Sequence, residues 1–406
     1  KTIEPRTYPV DHKEIEITID RITRAGVGYG EHEGRAVLVP FVLPGETVVA
    51  KLYSSNSEIF NAELVKVITP SPIRIGPVCH FFGQCAGCQY QHMPIETQRS
   101  IKSEHMQQVF QEIGLFSDIA AITMPMIGTD DIYAYRTKIT PGYYLKSDGS
   151  QVVGFDRVGR RTVMDVDVCA IATPEVNSMY QKVRERKIER KRHNKGSIII
   201  RESAGSAAAT DYQTTISQKV GNFTYWFKSG SFFQVNKYAV PVMVRYVLQQ
   251  AVGHGCTQLV DTYCGAGLFA IAAAEHFERV VAVELDKDSV TWAIENSSAN
   301  NVHNVSFLAS DSANIFGNVN KDDGEKSVVI VDPPRVGCSE AFLENLFEFR
   351  PRKIVYVSCD PSTQARDARI IVNNGYKLTE LTPVDLFPQT KHIESVATFV
   401  LEDSSS

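Results

Sequence analysis

A cysteine, several carboxylates and two glycines stand at comparable positions in the second half of the chain, and their types limit the chemistry they can do. Five apolar runs, CTQLVDTYC, RVVAVELD, NVSFLASD, SVVIVDPPR and KIVYVSCD, each end in a small, acidic or reactive residue. Helix-like AGLFAIAAAEH and SVTWAIENSSANN separate the first three, the alternation expected of an α/β doubly wound domain. Ligands of such sheets bind at the carboxyl ends of the strands, so Asp261, Glu284, Asp311, Asp332 and Cys359 are expected along one edge. A cysteine at a strand end is ordinarily a small buried hydrophobe. Cys359 is instead followed by Asp-Pro and then Ser-Thr, a turn rather than core, which makes it the candidate nucleophile.

The other residues sort by what they could bind. In D-T-Y-C-G-A-G, Gly265 and Gly267 allow a sharp turn and close approach of a ligand just before a helix, although such turns also serve simple packing. Glu284, at the end of the next strand, can accept both hydroxyls of a ribose, and together they favour a nucleoside cofactor. The loop lacks the third glycine that seats a pyrophosphate, so S-adenosylmethionine fits better than NAD. Asp332-Pro333-Pro334-Arg335 is a stiff turn that can fix a carboxylate between a cofactor and a base pocket. Asp311 could accept from an adenine amino group. Glu394 by itself reads as an exposed carboxylate ahead of the last strand, SVATFVL.

Three of the eight cysteines, Cys79, Cys85 and Cys88, form C-x5-C-x2-C in PVCHFFGQCAGCQYQHM, a spacing that in an unexported protein points to metal or catalysis rather than disulfides. The chain has 406 residues, 43% hydrophobic and 22% charged, with a net charge of -5, which describes two or three ordinary globular domains without an enveloping positive field. No run approaches the roughly 18 apolar residues of a membrane span, and KTIEPRTYPVDHKE is not a signal peptide. The expectation is a soluble, intracellular and cytoplasmic monomer; a start at Lys1 leaves a nuclear or organellar location open if a segment has been removed. One local basic run, residues 181–201, carries nine Lys or Arg against two Glu.

These parts suggest three regions. Residues 1–70 hold short β-type runs, EIEITIDRI, GRAVLVPFV, ETVVAKLYS and AELVKVITP, separated by AGVGYGEHEG, LPGE and SSNSE, the pattern of a small OB-like all-β domain. Residues 71–225 open with the cysteine loop, continue into an amphipathic helix in MPIETQRSIKSEHMQQVFQEIG, and then show strand-like YRTKITPGYYL, QVVGFDRV, GSIIIRES and FTYWFKSGSFFQVN, a central α+β domain. Thr173-Pro174-Glu175 reads as an N-cap with Pro at N1, starting the helix that carries the basic run. Residues 226–406 form the doubly wound domain.

The motifs SFFQVN (231–236), VDTYCGAGLF (260–269), VDPPRVG (331–337), VSCDP (357–361) and HIES (392–395), in this order, closely resemble those of the RNA uracil-5-methyltransferases. The β-rich N-terminus resembles the TRAM domain of many members, and the cysteine loop with a distant fourth cysteine resembles their iron-sulfur site. The resemblance implies a class I methyltransferase domain using S-adenosyl-L-methionine, with Gln234, Tyr263, Glu284 and Asp332 lining the cofactor site. It implies Cys359 as nucleophile and Glu394 as general base. It also implies a [4Fe-4S] cluster on Cys79, Cys85, Cys88 and Cys169, with zinc as the rival. The expected substrate is a tRNA T-loop uridine, position 54, with a ribosomal RNA uridine as alternative. A non-catalytic RNA chaperone and a cytosine-5 methyltransferase fit less well, given intact Cys359, Glu394 and Glu284 and the VSCDPST and HIES contexts. Phosphate contacts are expected from the N-terminal domain and the basic run. Where many members have Asn, this chain has Leu268.

Overall fold

The computed structural model describes residues 13–403 apart from 56–58, 161, 189–193, 204–205 and 320. Its N-terminal part is a curled six-stranded sheet in the order Glu14–Thr18, Thr47–Ser55, Ile59–Thr69, Arg35–Pro40, Val27–His32, Arg21–Ile22. Alternation along each strand turns Ile15, Ile17, Val37, Val39, Val48 and Phe60 into a core of its own. AGVGYGEHEG, expected as a connection, contains the strand Val27–His32. The two glycines inside that strand answer to packing rather than turning: a Cβ on Gly28 would lie 2.2 Å from Val42 Cγ2, and one on Gly30 2.4 Å from the Thr18 carbonyl.

The helix Ile95–Glu112 buries Gln98, Lys102, His105, Met106, Val109 and Phe110, a stripe at helical spacing. Met106, Val109 and Phe110 enter the same core as one face of the C-terminal sheet. Small antiparallel sheets follow, one of four strands and one of three, flanked by the helix Pro174–Glu185. That helix starts as the sequence suggests, Thr173 Oγ1 accepting from Val176 N at 3.3 Å with Pro174 at N1. The basic run does not serve as one outer face. Arg201 has no exposed surface, and Arg184 donates to the Val153 and Val166 carbonyls and to Asp165. Arg190, Lys191 and Arg192 fall outside the described residues.

FTYWFKSGSFFQVN is also not one strand. The strand Phe223–Lys228 pairs with Thr215–Val220, and the chain then turns. The Arg201 guanidinium takes the Ser229, Ser231 and Phe233 carbonyls at 3.3, 2.6 and 2.9 Å, acceptors that a strand would spend on a ladder.

The C-terminal sheet has seven strands in the order Val305–Ala309, Arg279–Glu284, Gln258–Asp261, Ser327–Val331, Lys353–Ser358, Glu394–Leu401, Tyr376–Val384. The first five are parallel, and Glu394–Leu401 runs antiparallel to both neighbours. Every residue of Ser327–Val331 and Lys353–Ser358 is buried, as strands covered on both faces must be. The edge strand Tyr376–Val384, with exposed Lys377 and Thr379 near its start, has no apolar run to announce it. Among the described residues no helix is long and apolar enough to cross a membrane.

Candidate active site

Sheet register brings the thiol and the distant carboxylate together. Lys353–Ser358 pairs with Glu394–Leu401 from Lys353↔Val400 to Ser358↔Ser395. One further step places Cys359 opposite Glu394. Cys359 then turns into the helix Pro361–Asn373, whose N-cap Asp360 accepts from Ser362 N at 3.0 Å. A cleft of about 210 Å³ opens on this corner, with Cys359, Arg335, Lys391 and His392 in its lining.

Alongside lies the glycine turn. Gly265 (φ 52°) and Gly267 (φ 93°) both take left-handed conformations that favour glycine. A Cβ on Gly265 would meet nothing within 4 Å, so this position faces open space; one on Gly267 would lie 2.8 Å from Ile271 Cδ1. Glu284 closes the turn by accepting from Gly265 N at 3.1 Å and Asp286 N at 2.9 Å, one bond per oxygen, which leaves each oxygen a lone pair. Tyr263 packs against Phe342 with ring centroids 5.8 Å apart. Asp311 caps a 3-10 helix by accepting from Ala313 N at 2.9 Å, a structural job that the sequence did not suggest. Gln234 sits in the segment held by Arg201, with Phe233 stacked on Phe227 at 4.4 Å. Leu268 is buried in the core beside the turn, so its side chain offers no polar contact.

The edge is rich in uncompensated acid. Asp261 has no exposed surface; Oδ2 accepts from Ala270 N at 3.0 Å, while Oδ1 has no hydrogen-bond partner among the described residues. Burial, then the neighbouring Asp332 and Glu284, push its carboxyl up to about 8 despite bonds from Ala270 and Tyr263. Burial pushes Asp332 up to about 7. Glu394 is raised well above the usual carboxylate range by burial and Asp332, with Arg335 opposing. The same pattern lifts the Cys359 thiol to about 11, through burial, Glu394 and Asp332, against Arg335. Such a pocket stabilises a positive ligand at its edge.

The sequence missed what aims Glu394. Between Val384 and Glu394 the chain is gripped from outside the sheet. Lys102 Nζ donates to Asp385 Oδ1 at 2.7 Å and the Phe387 carbonyl at 3.0 Å, and Arg99 Nε lies 3.3 Å from Asp385 Oδ2. Gln98 and Gln389 bond reciprocally, Nε2 to Oε1 at 3.0 Å and Gln389 N to Gln98 Oε1 at 2.9 Å. Tyr135 donates to the Pro388 carbonyl and Asn236 to that of Leu386, each at 2.9 Å. Asn236 lies inside SFFQVN; the other grips are isolated polar residues on a helix or loop, with no sequence signal.

The four cysteines also converge. Cys79, Cys85, Cys88 and Cys169 are free and half-buried. Burial raises Cys85 to about 11 and Cys88 to about 12, and each is raised further by the other thiols of the set. Cys169 is fixed by Asn177, whose Oδ1 accepts from its N–H and whose Nδ2 donates to its carbonyl, both at 3.0 Å. Four soft donors near one another are of the type that an iron-sulfur cluster or zinc takes. Their spacing is open: among the described residues no group of three His, Cys, Asp or Glu is gathered tightly enough to hold a metal ion.

Known proteins resemble the chain along its length. The family described as tRNA (uracil-5-)-methyltransferase matches residues 207–402, and the TRAM domain matches residues 12–65. A Schizosaccharomyces pombe protein named tRNA (uracil(54)-C(5))-methyltransferase is 35% identical over 411 residues, covering 95% of this chain and 78% of that protein. A Halalkalibacterium halodurans protein named as an uncharacterized RNA methyltransferase is 28% identical, covering 97% of this chain and 99% of its own length. The crystal structure of Pyrococcus abyssi tRNA (uracil-54, C5)-methyltransferase in complex with S-adenosyl-L-homocysteine shares the fold, with a TM-score of 0.72 and 21% identity over 95% of this chain and 100% of that one. With a TRAM domain, a class I sheet and a relative this similar over nearly its whole length, the chain belongs to the tRNA (uracil-5-)-methyltransferase family.

Proposed function

We propose that this enzyme methylates carbon 5 of uridine 54 in the T-loop of tRNA, with Cys359 as covalent nucleophile and Glu394 as general base. The observation that carries the reading is the register that sets a strand-end thiol beside a buried carboxylate. Carbon 5 of uracil is a poor nucleophile. Addition of the Cys359 thiolate to carbon 6 makes the ring an enolate whose carbon 5 can take a methyl group. Glu394 then removes the carbon 5 proton, and the electron pair of that bond re-forms the double bond as the thiolate leaves. Once ionised, a carboxylate with raised proton affinity is the stronger base for a proton on carbon. The target base must leave its stack to reach the cleft. The named activity of the S. pombe relative supports tRNA over ribosomal RNA.

Gln234, Tyr263, Glu284 and Asp332 would hold S-adenosylmethionine, with Gly265 leaving room for it; Asp311, half committed to its cap, contributes least. Bound there, the cofactor supplies an electrophilic methyl group. The acid edge fits its sulfonium and ammonium charges. Cys79, Cys85, Cys88 and Cys169 would hold a [4Fe-4S] cluster that braces the loop, since methyl transfer moves no electrons. Protein purified without oxygen should carry roughly four irons per chain; stoichiometric zinc without iron would reject the cluster.

The mechanism is tested by where two variants stop. With an unmodified tRNA transcript and labelled methyl donor, Glu394→Gln should accumulate a protein–RNA adduct on a denaturing gel. Cys359→Ala should give no adduct and no methylated RNA. An adduct with Cys359→Ala would move the nucleophile to another thiol.

A further inference from the structure

The cleft at Cys359 is not built from the catalytic half alone. Arg24, from the N-terminal sheet domain, lines it together with Arg335 and Lys391. Arg24 sits in a tight loop closed by Thr23 N to the Val27 carbonyl and Gly26 N to the Thr23 carbonyl, both at 2.8 Å. That loop lies against the base-bearing segment: a Cβ on Gly26 would come within 2.9 Å of Lys391 Cβ. Three cationic side chains thus line one opening of a chain whose net charge is -5. The amino end of the helix Pro361–Asn373 faces the same opening through Asp360, Pro361 and Ser362, but the Asp360 carboxylate already caps it, so the positive charge here comes from the side chains. His392, also in the lining, is pushed down to about 4 by burial and then by Arg335 and Lys391, which adds no charge but marks the positive surroundings.

Arg24 is not idle. Its Nη1 lies 2.6 Å from Glu112 Oε2, at the end of the helix Ile95–Glu112, with the two side chains 48% and 58% exposed. A pair this open to water is weakly held, so a phosphate can displace the carboxylate.

We propose that Arg24 and Lys391 form a phosphate subsite for the RNA backbone beside the target uridine, and that Glu112 occupies Arg24 until RNA arrives. The subsite rests on the proposed RNA substrate. Through it the N-terminal domain clamps the strand at the mouth of the cleft while the base is inside. Arg24 then exchanges one anion for another, and the affinity for RNA is set partly by how well Glu112 competes.

The opposite signs expected of two single variants test this. Binding of an unmodified tRNA transcript is measured across a salt series. Arg24→Ala should weaken binding roughly three- to tenfold at physiological salt and flatten the log–log salt slope by about 0.7–0.9. Arg24→Lys should restore most of the slope. Glu112→Gln should tighten binding about two- to threefold, and that gain should vanish in the Arg24→Ala background. If both single variants weaken binding, the pair is only a structural link and the proposal is overturned. A Glu112→Gln gain that persists without Arg24 also overturns it, because Glu112 would then act by general repulsion. Failure of the unaltered enzyme to bind the transcript would instead reject the tRNA reading itself.

Discussion

Buried carboxylates occur in two kinds of place, and they are treated oppositely. Glu46, in the N-terminal sheet domain, has no exposed surface, but Arg74 lies 2.5 Å away and the Leu43 and Ser71 amides donate to it. Burial pushes its carboxyl up, and these partners more than offset that, so it ends below the usual range. Asp385 is likewise saturated by Lys102 and Arg99. At the sheet edge, Asp261, Asp332 and Glu394 are raised instead, and one Asp261 oxygen is left unbonded. Carboxylates that hold the fold are supplied with cations by the chain. Those at the edge have only Arg335 opposing the rise of Glu394, so a ligand with positive charge would be stabilised there.

The comparison breaks first at the saturated end. Lys102→Ala should strip Asp385 of its buried partner and cost about 3–5 kcal/mol of stability, read as a lower midpoint in urea. Methyl transfer should fall further than folding does, because the segment that aims Glu394 is loosened. Lys102→Arg, if it restores activity, would show that the charge rather than the packing matters. A loss below 1 kcal/mol would mean that Asp385 finds other partners.

A smaller and sharper contrast lies between Glu46→Gln and Asp261→Asn. The first should destabilise by about 2–3 kcal/mol, since Arg74 loses its counterion. The second should stabilise the cofactor-free protein by about 1–2 kcal/mol near neutral pH, since the unfolded chain no longer gains by ionising this side chain. The pH dependence follows the same division. Glu46, with a depressed folded value, contributes stability above its unfolded range that is lost as pH falls through the folded value. Asp332 and Asp261 have folded values near 7 and 8, so the unfolded chain gives up their protons first. Their cost to the cofactor-free protein grows as pH rises above about 4 and is complete only above about 8. Thermal melts of Asp261→Asn and the unaltered protein should therefore converge near pH 4 and separate toward pH 8. Parallel melts at all pH values would place the charge of Asp261 elsewhere.

Much of where the candidate site residues lie could be read from the sequence because the sheet does the positioning. Asp261, Glu284, Asp332 and Cys359 end successive buried parallel strands, and strand ends are visible as apolar runs that stop. Glu394 was legible only through motif resemblance. Its place depends on an antiparallel strand, whose partner Tyr376–Val384 is half polar, and on a loop tied to Gln98, Lys102 and Tyr135. Long-range polar contacts of that kind leave no periodicity. Arg201 shows the converse: within a basic run it looks like an RNA contact, yet it is the buried clamp of the segment carrying Gln234. Gly28 and Gly30 looked like a turn because glycine in a strand and glycine in a loop are the same letter until packing distinguishes them.

The grip on residues 385–390 also bears on inheritance. Gln98 and Gln389 exchange bonds across an interval of 291 residues, and Lys102 and Asp385 across 283. A crossover between the cysteine loop and the cofactor sheet would unite halves of two parents, each complete as a fold, whose matched pairs had drifted apart. Such a chimaera should still bind the methyl donor but leave Glu394 misaimed. Recombination therefore meets this enzyme as one indivisible unit, although its regions look separable, and chimaeras should work only when both pairs come from the same parent.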